Sequence, residues 1–237
     1  MLFGWILYDM EKGVKVPFVG YHDCTESSAP DRKEAFDVSK TPLLMPLPAD
    51  FFKKDTLELA RALLGCLLVK ETEEGTAAGF IVETEAYMGA WDRAAHSYGN
   101  RRTKRTEIMY HGPGHVYTYQ MHTHCLVNVV SGREGTPEAI LIRAVEPFIG
   151  TELMFARRKV KEAKQLTNGP GKLTKALGIT MEDYGRVFYE RPLFIAEGYE
   201  PEQIETGPRI GIDNTGEAKH YPYRFWIKEN RYVSRRA

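Results

Sequence analysis

The chain has 237 residues, 43% of them hydrophobic, and its formal net charge at pH 7 is zero. Its length and apolar content fit one large domain, or one domain with an arm. The neutral balance predicts no polyanion partner for the chain as a whole, so a nucleic-acid surface would have to be a local basic patch.

The cysteines and the hydropathy pattern indicate a compartment. Three widely spaced cysteines argue against a disulfide framework and for a reducing environment. No apolar run reaches the roughly 18 residues of a transmembrane helix. We therefore expect a cytoplasmic protein, nucleoid-associated if bacterial, or a nuclear one, that is neither secreted nor bound to a membrane.

Residues 1–45 differ in composition from the rest of the chain. Residues 1–8 are apolar but lack the basic flank of a signal peptide. Residues 23–40 are polar and charged. We predict a flexible N-terminal arm over residues 1–45 and a folded domain over residues 46–237.

A helix and a β-hairpin are predicted at the start of this domain. Apolar residues recur at helical spacing over residues 55–64, and Gly65 is a natural stop signal. Two segments with strand character follow, with a glycine-containing turn between them. Residues 66–87 are therefore predicted to form a hairpin.

The second strand of this hairpin has an unusual composition. Its alternation places Glu83, Glu85 and Tyr87 on one face. Carboxylates are poor strand formers and are costly to bury unless they are paired. This stretch alone fits either an exposed face with solvated acids or a functional acid beside an aromatic ring.

A basic loop follows the hairpin. Residues 101–105 carry four cations and show no apolar periodicity. Most charge runs of this kind are solvated surface loops. The functional alternative is an edge that contacts phosphates.

The next predicted strand carries two tyrosines. Tyr117 and Tyr119 share one of its faces, and tyrosines in strands usually serve in core or sheet packing. His122, His124 and Cys125 follow closely and are residue types that bind zinc. Because no further ligand occurs at a recognisable spacing, no metal site is predicted.

Arg143 follows an almost purely apolar strand, residues 139–142. A buried arginine needs a carboxylate or a specific ligand. Two interpretations are open. Arg143 forms a structural salt bridge, with Glu146 as one candidate partner, or it faces the same cavity as Glu85.

The C-terminal half mixes helices and strands. Residues 151–165 are predicted to form a basic helix, and a glycine-rich turn with Lys172 precedes a second, short helix. That turn is a candidate anion-binding site, although it lacks the spacing of a P-loop. Residues 187–196 and 221–234 are predicted strands, and residues 206–212 a loop or short strand.

Three features therefore occur together in a chain of zero net charge: acids at a strand end, aromatic faces and basic segments. An aromatic slot beside an activated carboxylate suits a flat ring held by stacking while water attacks next to it. A basic rim suits a phosphate backbone. This layout is typical of enzymes that flip a nucleotide out of DNA and act on it.

Several short motifs occur in a fixed order along residues 47–234. They are Leu59-Ala60-Arg61-x-Leu63-Leu64-Gly65, Ile81-Val82-Glu83-Thr84-Glu85-Ala86-Tyr87, Asp92-x-Ala94-Ala95-His96-Ser97, Arg101-x-Thr103-x-Arg105, Pro113-Gly114-x-x-Tyr117-x-Tyr119, Leu141-x-Arg143-Ala144-x-Glu146-Pro147, Gly169-Pro170-x-Lys172-Leu173 and Arg209-Ile210-Gly211-Ile212. With these motifs the chain resembles the alkyladenine (3-methyladenine) DNA glycosylase family, the monofunctional enzymes of the mammalian type.

The resemblance implies roles for individual residues. Glu85 would be the general base that activates a water for attack on C1′ of the flipped nucleotide. Arg143 would help to orient that water, and a backbone carbonyl near Ile210 would help to hold it. Asn128 would restrict the entry of normal guanine through the exocyclic amine of that base.

The resemblance also implies an aromatic base pocket made of Tyr87, His96 and Tyr119. Alkylation at N3 or N7 leaves a purine cationic, so its stack between these rings is a cation–π contact worth about 0.5–2 kcal/mol. A neutral base such as hypoxanthine would need a protonating group. His96 is the nearest candidate by residue type, since an ordinary histidine has a pKa of about 6.5.

The segment after Tyr119 departs from the family pattern. The family inserts a tyrosine into the gap left by the flipped base, whereas residues 120–128 are one residue shorter and contain no tyrosine. An apolar side chain can serve as such a wedge, and a histidine ring can also stack. The expected DNA-contacting residues are the two wedge candidates Met121 and His122, together with Arg101, Arg105 and Lys172.

The expected function is a monofunctional DNA glycosylase. It would remove alkylated or deaminated purines, of the 3-methyladenine, 7-methylguanine and hypoxanthine type, from damaged duplex DNA and leave an abasic site. We expect a monomer that needs no cofactor or metal. Two alternatives are a non-catalytic nucleic-acid-binding module with the same basic rim and a hydrolase of free nucleosides.

The expected fold is mixed α/β (α+β). A single domain would have a curved, largely antiparallel sheet with helices packed around it. A protruding DNA-binding β-hairpin is expected near residues 117–128.

Overall fold

The computed structural model describes residues 44–234 and, in the N-terminal part, only two short strands. These strands, β1 (Trp5–Tyr8) and β2 (Lys15–Phe18), pair antiparallel with each other. They belong to a unit of residues 1–41, and residues 42–237 form a second compact unit. The predicted flexibility of residues 1–45 concerns a segment that lies almost entirely outside the described residues.

The second unit is built on an antiparallel sheet of eight strands. Their order is β5-β6-β7-β4-β10-β9, and β3 pairs with β4 and with β8. The strands are β3 (Leu67–Thr72), β4 (Gly75–Tyr87), β5 (Val116–Met121), β6 (His124–Val130), β7 (Ala139–Ile149), β8 (Leu193–Ala196), β9 (Ile204–Gly207) and β10 (Arg224–Ile227). This architecture confirms the predicted mixed α/β fold with a curved antiparallel sheet.

Strand β4 is the centre of the sheet. Along one edge it pairs with β7, and it also pairs with β3 through its first half and with β10 through its second half. Its register against β7 shifts between Ile81 and Thr84, which is a bulge that bends the strand. Residues 77–86 are buried without interruption. The interpretation of Glu83 and Glu85 as solvated acids on an exposed face is therefore wrong.

Three α-helices pack on the sheet: α1 (Thr56–Ala62), α2 (Thr151–Arg158) and α3 (Pro170–Leu177). α3 begins with a proline, whose missing N–H costs nothing in the first turn, and ends at Gly178 in the left-handed conformation. α2 stops seven residues before the predicted end at residue 165. Lys159 is left-handed there, with φ of 54°, which ends the helix.

Two strands are also shorter than predicted. Residues 187–196 contain a strand only at Leu193–Ala196, and residues 221–234 only at Arg224–Ile227. A strand needs a partner for its ladder, and β8 and β10 end where their pairing with neighbouring strands ends. The remaining residues of both segments run as turns and irregular chain.

The two faces of the sheet carry different cores. Alternating residues of β5, β6 and β7 contribute Val116, Val129 and Ile140 to the main core, which packs against the helices. The residues between them belong to a smaller, aromatic cluster, whose members are Ile108, Met109, Tyr110, Tyr117, Tyr119, Leu126, Val130, Ala139 and Leu141. Tyr87 packs against this second cluster. Within the described residues, no helix is long and apolar enough to cross a membrane.

Candidate active site

A cavity of about 340 Å³ opens on the aromatic face of the sheet. Strand β4 ends at this cavity, and β5, β6 and β7 form its floor. The residues that line it include the predicted site residues Tyr87, His96, Tyr119, Asn128, Arg143 and Ile210, and also Met121. The sequence motifs, which are spread over residues 81–212, therefore converge on one site.

Glu85 lies directly beneath the wall of the cavity and is fully buried. Its Oε2 accepts hydrogen bonds from Tyr87 Oη at 2.9 Å and from Arg143 Nη1 at 3.1 Å. Its Oε1 accepts from the backbone N–H of Ile210 at 2.7 Å. All three donors belong to cavity-lining residues, so the carboxylate is held directly behind the cavity lining, to which Glu85 itself does not belong.

The Ile210 contact differs in kind from the one that was expected. The sequence resemblance pointed to a backbone carbonyl near Ile210 as a ligand for water. The contact observed at Ile210 is its amide, which donates to Glu85. No local signal in the sequence marks this bond, because 125 residues separate its two partners.

Arg143 joins the two acids of β4. Its Nε donates to Glu83 Oε1 at 3.0 Å and its Nη1 to Glu85 Oε2 at 3.1 Å. Burial disfavours the Arg143 cation, but the carboxylates of Glu85 and Glu83 outweigh burial and hold its pKa above the ordinary arginine value. Arg143 therefore shares the cavity of Glu85 and does not pair with Glu146, which accepts from Asn230 instead.

Glu83 has a different set of partners. Its Oε1 accepts from Arg143, from Arg224 Nε at 2.7 Å and from Ser234 Oγ at 2.8 Å. Its Oε2 accepts from the backbone N–H of Ser234 at 2.6 Å. Three of these four donors converge on Oε1 and one on Oε2, and of the donor residues only Arg143 lines the cavity. Neither Arg224 nor Ser234 was predicted as a site residue.

Aromatic rings form one wall of the cavity. The His96 and Tyr119 rings meet edge to face with centroids 4.6 Å apart, and the Tyr117 ring lies 5.5 Å from that of Tyr119. Tyr117 was predicted as a packing residue, yet its hydroxyl bonds His96 Nδ1 at 2.7 Å and it lines the cavity. The sequence signals for this role are the shared strand face of the two tyrosines and the motif Pro113-Gly114-x-x-Tyr117-x-Tyr119, which contains both.

The titratable groups of this wall are held neutral. Burial, and after it the nearby Arg105 and Arg101, lowers the pKa of His96 to about 4. Burial, and after it the Glu85 carboxylate, raises the pKa of Tyr119 to about 12. The same two causes raise the pKa of Tyr87 well above its usual value. Uncharged rings therefore face the cavity at neutral pH.

A buried ion pair supports Tyr87 from outside the cavity. The Arg209 guanidinium lies 4.7 Å from the centroid of the Tyr87 ring and bonds Asp92 through both Nη atoms. Both charged side chains are fully buried. Arg209 and Asp92 belong to two of the quoted sequence motifs, and their contact ties the loop after β4 to the loop after β9.

That second loop also supplies a part of the site that the sequence did not indicate. Asp213, Asn214 and Thr215, which follow the Arg209–Ile212 motif, all line the cavity. Asp213 is exposed at its mouth and is a charged group. Loop residues without a motif or periodicity carry no pattern from which this position could be predicted.

Asn128 lies on the floor of the cavity, opposite Tyr117 in the register of β5 and β6. Its Nδ2 donates to the backbone oxygen of Tyr117 at 2.9 Å, and the residue is 3% exposed. The amide is therefore held in one orientation against its own hairpin.

The two wedge candidates sit at the tip of the β5–β6 hairpin. Met121 is 47% exposed and lines the cavity. His122 begins the two-residue turn, has φ of 52° and is not among the lining residues. In the described ranges, no group of three or more His, Cys, Asp or Glu side chains could hold a metal ion.

The predicted DNA-contacting cations lie around the cavity. Arg101 and Arg105 are exposed, and their positive charges help to lower the pKa of His96. Arg102, in the same loop, is neutralised by Glu107 through two bonds of 2.9 and 2.6 Å. Lys172 bonds Asn168 Oδ1 at 2.8 Å at the start of α3, next to the cavity-lining Pro170.

Comparisons with known proteins show the family of this chain. Residues 50–231 match the sequence model of the family described as "Methylpurine-DNA glycosylase". A protein of Bacillus licheniformis named "Putative 3-methyladenine DNA glycosylase" is 70% identical over 190 residues, which cover 80% of this chain and 97% of that protein. Relatives with the same name occur in Bacillus subtilis, 67% identical over 80% of this chain and 97% of the relative, and in Listeria monocytogenes, 50% identical over 78% and 90%. The chain therefore belongs to the methylpurine-DNA glycosylase family and is a DNA glycosylase, an enzyme of DNA repair.

Proposed function

We propose that this enzyme removes 3-methyladenine and related alkylated or deaminated purines from duplex DNA. The damaged nucleotide is flipped into the cavity, and a water activated by Glu85 attacks C1′. The N-glycosidic bond breaks, the purine leaves with the bonding electron pair, and the water oxygen remains on C1′ of an abasic site. The water's proton passes to the Glu85 carboxylate.

The choice of Glu85 as the base rests on its hydrogen bonds. Three of the four donors to Glu83 come from Arg224 and Ser234, which do not line the cavity. Glu85 has three donors, and all three come from cavity-lining residues. Glu85 is therefore the acid held by the cavity lining, and its Oε1, which accepts one hydrogen bond, has a lone pair left for a water.

The aromatic wall supports a cationic leaving base. Neutral rings at His96 and Tyr119 present π-faces without opposing a positive purine, and such a contact is worth about 0.5–2 kcal/mol. The two acids and two arginines buried behind the cavity, Glu83, Glu85, Arg143 and Arg224, cancel in charge. The buried charges behind the cavity therefore add no net positive charge that would oppose a cationic purine.

Binding of the duplex is assigned to the hairpin tip and the basic rim. Met121 is an apolar side chain that is exposed beside the cavity, as a wedge that replaces a flipped base must be. Arg101, Arg105 and Lys172 surround the opening and fit phosphates. Asn128 is held against its hairpin on the cavity floor, a position from which it can exclude the exocyclic amine of guanine.

Glu85→Gln tests this function. The amide keeps the size of the side chain but cannot take the proton, so base release should fall by about 10²–10⁴-fold. The measurement is single-turnover release from duplexes with one defined lesion, read by alkaline cleavage. Binding to a duplex with an abasic-site analogue should persist.

Three further results would decide against the proposal. Near-normal turnover by Glu85→Gln would remove Glu85 as the base. Faster hydrolysis of a free alkylated nucleoside than of duplex DNA would make the enzyme a nucleoside hydrolase. Trapping of a covalent DNA adduct by borohydride would contradict a water nucleophile. No lysine lines the cavity within the described chain, so no adduct is expected.

A further inference from the structure

A serine near the C-terminal end of the described chain lies in the charged network behind the cavity. Ser234 is 8% exposed. Its backbone N–H and its hydroxyl both donate to Glu83, at 2.6 and 2.8 Å. Its Oγ also accepts from Arg143 Nη2 at 3.4 Å, and its carbonyl oxygen accepts from Arg224 Nη2 at 3.4 Å.

Ser234 therefore contacts three of the four buried charges. It supplies two of the four hydrogen bonds to Glu83 and is one of the three described partners of the Arg143 guanidinium. Ser234 does not line the cavity. Its side chain is uncharged, so it forms hydrogen bonds with these charged groups without changing their net charge.

We propose that Ser234 is a positioning residue for catalysis: through Glu83 it holds the Arg143 guanidinium in the orientation that orders Glu85. The inference rests on the proposed role of Glu85 as general base. Ser234 touches neither the substrate nor the reacting atoms, and it acts through two intermediate side chains. The last segment of the described chain thus becomes part of the catalytic apparatus.

The geometry explains why the hydroxyl matters. The planar guanidinium of Arg143 donates hydrogen bonds to both Glu83 and Glu85, so the two carboxylates compete for it. With the hydroxyl in place, Glu83 Oε1 has three donors and Nη2 has a partner. Without the hydroxyl, Glu83 Oε1 loses a donor and Nη2 loses its acceptor. Both changes let the guanidinium turn toward Glu83, and the bond to Glu85 is weakened.

Ser234→Ala is the direct test, because it removes the hydroxyl and keeps the backbone N–H. A displacement of a catalytic group by about 1 Å can cost about 10²-fold in rate, and for the smaller shift of a weakened hydrogen bond we expect single-turnover base release to fall about tenfold. Affinity for a duplex with an abasic-site analogue should stay within about twofold, since no DNA-contacting residue changes. The acidic limb of the pH–rate profile should move to higher pH, because a carboxylate whose hydrogen bond to a guanidinium is weakened is protonated more easily.

Two variants separate positioning from folding. Ser234→Thr keeps the hydroxyl and should react faster than Ser234→Ala. Ser131→Ala is a matched control, since Ser131 is 5% exposed and its hydroxyl is hydrogen-bonded to Thr56, outside the Glu85 network. This control should keep the wild-type rate and pH profile. The melting temperature of each variant shows what fraction of it is folded under the assay conditions.

The outcomes are distinct from those for Glu85. If Ser234→Ala keeps the wild-type rate and pH profile, the inference is overturned. It is also overturned if the rate falls only in proportion to the folded fraction. If Glu85→Gln is inactive and Ser234→Ala is normal, only the inference fails, whereas an active Glu85→Gln removes the proposed function itself.

Discussion

At the scale of single residues, His96 shows how the cavity sets the chemistry of a side chain. Its pKa of about 4, caused first by burial and then by Arg105 and Arg101, keeps the imidazole neutral at physiological pH. A neutral ring can stack on a cationic purine without repulsion. The same low pKa makes His96 a poor proton donor for neutral bases near pH 7, contrary to the suggestion from its residue type.

This pKa predicts how stability depends on pH. Below pH 6.5 the unfolded chain protonates His96, but the folded chain does not until the pH approaches about 4. The unfolded state therefore binds more protons in this window, and stability falls as the pH is lowered from about 6.5 to 4.

The measurement is the melting temperature between pH 7.5 and pH 4. His96→Gln lacks this titration, so its melting temperature should decline less steeply than that of the wild type. His220→Gln, a change at an exposed histidine, should follow the wild type. An equal decline in His96→Gln and the wild type would contradict the assignment.

The sequence could place Glu85, Arg143 and the rings in one site because strand alternation and motif order are local signals. Strand alternation alone does not rank Glu85 against Glu83; only the family resemblance singled out Glu85. That distinction depends on Arg224 and Ser234, which are 141 and 151 residues from Glu83 along the chain. Long-range hydrogen bonds of this kind leave no periodic trace in a sequence.

At the scale of elements, the β5–β6 hairpin is the part of the sheet that we propose contacts the DNA. Met121 pairs with His124 at the end of the ladder, and a two-residue turn closes the tip. His122 adopts a positive φ in this turn, a conformation that suits glycine better than a side chain. The shortened loop therefore leaves Met121 as the exposed apolar group beside the cavity.

Met121→Ala should weaken base flipping. Removing the wedge leaves the gap in the base stack unfilled, and unstacking costs a few kcal/mol per step. We expect single-turnover excision and affinity for an abasic-site duplex to fall about tenfold or more. Met121→Leu, which keeps the apolar volume, should retain most of both.

His122→Gly is the matched control at the neighbouring position. Glycine adopts the positive φ of this turn without strain, so the hairpin should keep its shape. Normal excision by His122→Gly together with a loss in Met121→Ala identifies the wedge as Met121. The reverse pattern would assign it to His122.

Element types were more predictable than their lengths. The hairpin of β3 and β4 and the three helices follow from hydrophobic periodicity and glycine signals. The early end of α2 at Arg158 depends on the left-handed backbone of Lys159, a residue without a turn signal. The short β8 and β10 depend on where their partner strands end, which is a property of the assembled sheet.

At the scale of the whole molecule, zero net charge conceals an uneven distribution. The four cations of residues 101–105 are not equivalent. Arg102 is bound to Glu107, whose pKa its guanidinium lowers to about 2. For Arg101 and Arg105, no ion pair is found within the part of the chain that the structure describes. A basic rim can therefore bind DNA although the balance of the whole chain is neutral.

This distribution predicts different salt dependences for two nearby arginines. Each phosphate contact that releases counterions contributes about 0.9 to the slope of log K against log salt concentration. Arg105→Gln should therefore reduce the magnitude of the slope by about one. Arg102→Gln removes the same formal charge, but that charge is already paired with Glu107, so the slope should change much less.

The measurement places each arginine change in the catalytically silent Glu85→Gln background. Binding to one lesion duplex is then recorded over a range of salt concentrations. Equal slopes for the two variants would show that local pairing does not decide which cations contact the backbone, and that the rim acts only through its total charge.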